Sequence, residues 1–151
     1  MRSGAFVEHG NILVMKMKRI FKASFLFAEA WIYLGIARVM LVFMPFRKIA
    51  PLLGEKIYTD STSFPSSIRP QRIRAAISRA ASCAPWRTKC FEQALAGKLM
   101  LRYRRMSGVI FFGVNKSGAQ LNAHAWLESE GVIITGAKGI EQFTVIARFK
   151  N

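Results

Sequence analysis

The apolar residues of this chain follow two different rhythms. Up to about residue 105 they recur every three or four positions, the spacing of one face of a helix. From residue 108 onward they come in short β-branched and aromatic runs. The first regime contains the longest apolar stretch, residues 20–46, I-F-K-A-S-F-L-F-A-E-A-W-I-Y-L-G-I-A-R-V-M-L-V-F-M-P-F. It has the length of a membrane span, but Glu29 and Arg38 leave no uncharged run of eighteen residues. Each such charge at mid-bilayer costs about 2.5–3.5 kcal/mol on insertion scales. The stretch is therefore expected to be a buried amphipathic helix, and peripheral membrane contact is not expected. Pro45 ends it, since proline cannot continue a helical ladder, and P-F-R-K-I-A-P-L-L-G makes a short second element that closes at Gly54.

Residues 1–15 show no clear period and are expected to be a loose N-terminal extension. Residues 58–70 are rich in Ser, Thr and Pro and read as a linker or surface loop. The next segment, 69–82, is helical, with Ile73, Ala76, Ile77 and Ala80 on one stripe and arginines on the other. A short turn, C-A-P-W-R-T-K, then leads to a helix that opens at Cys90, with Thr88 as its expected N-cap.

After Gly108 the runs V-I-F-F-G-V, H-A-W-L-E, V-I-I-T and F-T-V-I-A-R-F predict four antiparallel strands. Glu130-Gly131 has the composition of a hairpin turn. A two-residue turn there sets Ser129 against Val132, His124 against Ala137, and Thr135 diagonally beside His124. His124, Trp126 and Glu128 then share one face of their strand. Helices followed by a meander make an α+β arrangement. At 151 residues it is expected as one domain over 16–151, helical over 20–105 and stranded over 108–150.

Charge changes this picture more by its distribution than by its sum. The net charge is +15, from 23 Lys and Arg against 8 Asp and Glu, and nearly all of the excess lies before residue 110. Such asymmetry implies an acidic partner, an anionic membrane surface or nucleic acid. No helix-turn-helix, zinc or RNP signature is present, so nucleic acid is not expected. Cys83 and Cys90 lie seven apart without a C-x-x-C motif or a nearby histidine, which offers no structural zinc site. No metal and no cofactor is implied. No secretory signal peptide is legible, and the reducing cytoplasm, where a free thiol persists, is the default compartment.

The candidate chemistry is a thiol and an imidazole. Cys90 stands where helix N–H groups and the helix dipole favour negative charge. His124 is the one histidine in the downstream half. Together they outline a Cys–His nucleophile pair, recognised by geometry and roles rather than by order along the chain. A buried helix thiol and a structural histidine have the same spacing, so spacing alone leaves both readings open. Gln120 and Asn122 are either oxyanion donors or ordinary loop polarity.

The ordered set C-F-E-Q-A-L-A, G-V-I-F-F-G-V, A-H-A-W-L-E and F-T-V-I-A-R-F, preceded by A-R-V-M-L-V-F-M-P-F-R-K-I-A-P-L-L-G, resembles the lasso peptide biosynthesis B proteins. These are transglutaminase-like cysteine peptidases that remove the leader from a lasso precursor. The resemblance covers about residues 20–149 and implies a transglutaminase/papain-like core with the nucleophile helix packed on an antiparallel sheet. It implies Cys90 as nucleophile and His124 as general base. The family's third member, an aspartate, falls at about Gly136, and no carboxylate lies between Gly131 and Ile140. Thr135 is the expected substitute for orienting His124, with a backbone carbonyl or Glu141 as alternatives. The chain is expected to be the split form, without a leader-recognition domain. The implied partners are the precursor peptide, a separate leader-recognition protein and an ATP-dependent macrolactam synthetase. Two other functions remain as alternatives, a transglutaminase-type acyl transferase and a non-catalytic scaffold of the maturation complex.

Overall fold

The computed structural model describes residues 4–56, 69–117 and 120–150, with side chains from Val14 onward. Helix α1 (Gly4–Phe43) is followed by α2 (Phe46–Leu53), the two-residue strand β1 (Glu55–Lys56), α3 (Pro70–Cys83) and α4 (Cys90–Tyr103). Strands β2 (Val109–Ser117), β3 (Gln120–Ser129) and β4 (Val132–Thr135) come next. A single 3₁₀ turn at Ile140–Gln142 leads into β5 (Thr144–Lys150). The sheet is antiparallel with order β1-β5-β2-β3-β4, so the fold is α+β as expected. The four expected strands are β2 to β5, and β1 is an addition that extends the β5 edge. Most of the expected loop at 58–70 lies outside the described residues.

Two expectations about the N-terminal region need correction. The backbone of residues 4–15 is not a loose extension, because α1 starts at Gly4 and runs without a break for 40 residues. Nor is the apolar stretch a buried helix. Leu26, Ala30, Leu34 and Ala37 form one buried stripe, while Phe21, Phe25, Ile32, Val39 and Phe43 are exposed. Hydropathy gave the apolar character of both faces, but burial requires a partner, and α3 and α4 cover one face only.

The covered stripe is small where it must be. Ala30 and Ala37 meet Ile73, Ala76, Ile77 and Ala80 of α3 and the Ala94–Leu95 region of α4 in one core. Two ion pairs tie α1 to α4 on either side of that stripe: Arg38 with Glu92 at 2.7 Å, and Glu29 with Arg104. Residue 38 pairs with the start of α4 and residue 29 with its end, so the two helices run antiparallel. The Glu29–Arg104 pair is about nine-tenths buried on both sides, at 12% and 11% side-chain exposure. Breaking a buried pair from one side strands a charge. Glu29→Gln is therefore expected to lower unfolding stability by about 3–5 kcal/mol, measured by urea denaturation.

Helix α4 is buried on nearly every side, as a helix between two layers must be. Gly97 marks its closest approach to the sheet, where a Cβ would lie 2.6 Å from Leu127 and 3.0 Å from Ile77. The next residue, Lys98, is wholly buried. Its ammonium donates to the carbonyls of Gly108 at 2.5 Å and Phe149 at 3.2 Å, where β2 begins and β5 ends. Burial, and then the charges of Arg102 and Lys150, lower its pKa to about 7. The unfolded chain keeps this lysine protonated to about pH 10.4. Between those values the unfolded state binds more protons, so stability rises with pH through the window from about 7 to about 10. The slope approaches about 1 kcal/mol per pH unit. Lys98→Met is expected to remove that rise, as read from thermal melts between pH 7 and 10.

Candidate active site

Cys90 is the first residue of α4 and is half-buried, while Cys83, at the end of α3, is exposed. The turn that carries Cys90 is held from several directions. Glu92 accepts the Lys89 backbone N–H at 2.5 Å with one carboxylate oxygen and the Arg38 guanidinium at 2.7 Å with the other. Gln93 donates to the Thr88 carbonyl at 3.1 Å. Thr88 is not the N-cap. That position belongs to Lys89, and the Thr88 hydroxyl instead donates to Ala81 of α3 at 3.4 Å. Glu92, in the first turn beside Cys90, has its charge paired with Arg38.

His124 lies on β3, with its Nε2 2.8 Å from the carbonyl oxygen of Gly136. A carbonyl only accepts, so Nε2 carries the proton and Nδ1 is left as the basic nitrogen. The ring packs between Phe143, at 5.0 Å between centroids, and Trp126, at 6.1 Å. Trp126 in turn stacks on Phe111 at 5.3 Å, giving the imidazole an aromatic wall.

Thr135 does not take the orienting role. The hairpin forms as read, with Ser129 opposite Val132 and positive φ at Glu130 and Gly131, but the register then slips between Leu127 and Glu128. The bulge places Thr135 opposite Leu127, on the side of the sheet that meets α4. Its buried hydroxyl has no hydrogen-bond partner there among the described residues. The contact passes to the next residue. Gly136 has φ +74°, and a Cβ on it would stand 2.6 Å from the Ala125 carbonyl oxygen and 2.9 Å from the Trp126 Cβ. The position where the resemblance expects an aspartate thus excludes any side chain while its backbone holds the histidine.

Cys90 and His124 lie at the same level of the sheet. Phe91 packs on Phe112 at 5.1 Å, and Phe112 pairs across the strands with Ala125, the neighbour of His124. Thiol and imidazole share no hydrogen bond. Along β3, Ala125 and Leu127 face the helices, so the pleat turns His124 and Trp126 to the other side. A cleft of about 150 Å³ opens where α3, α4 and the end of β4 meet. It is lined by Arg74, Ser78, Gln93, Thr135, Gly136 and Ala137. It reaches from the first turn after Cys90 to the residue that holds His124. Gln120 and Asn122 sit toward the β2–β3 hairpin on the His124 face, opposite Ser117 and Asn115. Among the described residues no cluster of three or more metal-ligating side chains occurs.

Sequence reasoning missed Gln93 and the Arg38–Glu92 pair, and it offered a backbone carbonyl as an alternative partner of His124 without a signal for which one. Glu92 three residues after Lys89 carried half a capping-box signal. The carbonyl carried none, since every residue has one.

A helix opening on a cysteine packs on an antiparallel sheet whose β3 carries an oriented histidine, which makes an α+β domain. Residues 30–148 match the transglutaminase-like superfamily, and the chain belongs to it. That superfamily includes cysteine peptidases and acyltransferases. No curated protein and no solved structure matches the chain significantly.

Proposed function

We propose that this protein is a cysteine peptidase that removes the leader from a ribosomally made lasso precursor in the cytoplasm. What most supports the reading is the His124–Gly136 hydrogen bond, 2.8 Å long. At the point where the resemblance calls for an acid, a backbone carbonyl fixes the imidazole tautomer in which Nδ1 acts as base. In this proposal Cys90 Sγ attacks the scissile carbonyl carbon and His124 takes the thiol proton. His124 passes that proton to the leaving amine as the C–N bond breaks, and water then hydrolyses the thioester. This proton transfer requires His124, which the pleat turns to the side of the sheet away from α4, to reach Cys90 past the edge of β3 that β4 does not cover beyond Leu127. A neutral carbonyl orients the ring but stabilises the imidazolium less than a carboxylate does, so the chemistry is slow without its partners. Those partners are the precursor, a leader-recognition protein and a macrolactam synthetase.

The test is incubation of the chain with a lasso precursor peptide and a leader-recognition protein, followed by intact-mass spectrometry. Two fragments summing to the precursor plus water are expected. A single product joined to an amine, with loss of ammonia or of the acyl leaving group, would instead establish acyl transfer. Unchanged precursor, with ring formation by the synthetase still dependent on the chain, would establish a scaffold.

A further inference from the structure

The outward face of α1 carries a pattern that the catalytic reading does not use. Val14, Phe25 and Ile36 open three eleven-residue units, each with an apolar side chain at its first, fourth and eighth places. The eighth places are Phe21, Ile32 and Phe43, exposed at 79%, 58% and 78%. Eleven residues in three turns is a period of about 3.67, against 3.6 for a straight helix, so the stripe drifts only about 20° per unit. It therefore runs nearly straight for about 44 Å at 1.5 Å per residue. The stripe is far larger than the scattered apolar exposure of an ordinary surface.

Charge is distributed around it in one sense. Lys16, Lys18, Arg19 and Lys22 are exposed along the first unit. Arg47 and Lys48 are exposed just beyond Phe43. Among the described residues no carboxylate lies between Val14 and Glu29, and Glu29 is paired with Arg104. A second copy would set these cations beside their own counterparts in a chain of net charge +15. Nor is α1 free to cross a membrane alone, because its opposite stripe is packed on α3 and α4 and held by two ion pairs.

We propose that the outward face of α1 docks on an anionic lipid bilayer, the helix lying flat with its apolar stripe at the acyl boundary and its lysines and arginines among the headgroups. This is the arrangement of an interfacial amphipathic helix, buried about 5–10 Å deep. Trp31, 38% exposed and in edge contact with Trp86 at 4.8 Å, sits where it reports that burial.

The experiment is flotation of the full chain with vesicles of phosphatidylcholine and phosphatidylglycerol in equal parts, against phosphatidylcholine alone, with tryptophan emission recorded alongside. Binding to the anionic vesicles, a blue shift, and release by alkaline carbonate are expected. The exposed double variant Phe21→Gln/Phe25→Gln should weaken binding at least about tenfold through lost apolar burial. Lys18→Gln/Lys22→Gln should weaken it by about tenfold or more on anionic vesicles alone, each cation supplying about 1 kcal/mol there. Circular dichroism should be unchanged in both. The proposal is overturned by absence of flotation with a static emission maximum, by equal binding to neutral vesicles, or by resistance to carbonate, which would mark a spanning helix. It is equally overturned by a solution dimer that the phenylalanine variant dissociates, which would make the face a contact between copies.

Discussion

Cys90→Ala is expected to reduce processing at least about a thousandfold, because loss of a covalent nucleophile removes the acyl-enzyme route altogether. His124→Ala should fall nearly as far, and the double variant should be no worse than either alone, since residues that act as one unit are non-additive. The measurement is the initial rate of precursor cleavage by mass spectrometry, with leader-recognition protein present. Output of the complex unaffected by Cys90→Ala would leave the chain as a scaffold.

Gly136→Asp is the second large effect. Placing at this position the acid that the resemblance calls for is expected to unfold the site rather than complete it. A Cβ meets backbone at 2.6 Å, and φ is +74°, so left-handed strain and overpacking add to about 3 kcal/mol of lost stability. Cleavage should fall with it, because the displaced carbonyl releases His124. Gly131→Ala is the matched control. Its φ is +73°, yet nothing lies within 4 Å of the added Cβ, so only the backbone penalty of about 1–2 kcal/mol applies. Differential thermal melts separate the two terms. If Gly136→Asp retained stability and raised the rate, the strand end would be soft enough to accept the acid, and the carbonyl would be a mere stand-in.

Local signals were read correctly, apart from Thr88 as the N-cap of α4, and long-range ones were not. The start of α4 at Cys90, the end of α2 before Gly54 and the turn at Glu130-Gly131 each depend on a few adjacent residues, and each formed where expected. The strand β1 has two residues and pairs with β5 nearly a hundred positions later, which no periodicity announces. The bulge at Leu127 depends on how β4 meets the helices, and it moved Thr135 away from the histidine. In α1 the apolar content was plain, but which face has a neighbour is a tertiary fact. The burial of Lys98 likewise follows from the close approach of the sheet at Gly97, which is a tertiary fact.

The two ion pairs between α1 and α4 have a geometric consequence. Glu29 and Arg38 are nine residues apart, about half a turn around the helix axis, so they grip α1 from opposite flanks. Rotation in either sense stretches one pair or the other, and sliding stretches both. The azimuth of α1 is therefore indexed to α4, whose first residue is Cys90. Whatever the outer stripe rests upon, Cys90 keeps a constant bearing toward it, and a molecule approaching along that support meets the thiol from a single direction.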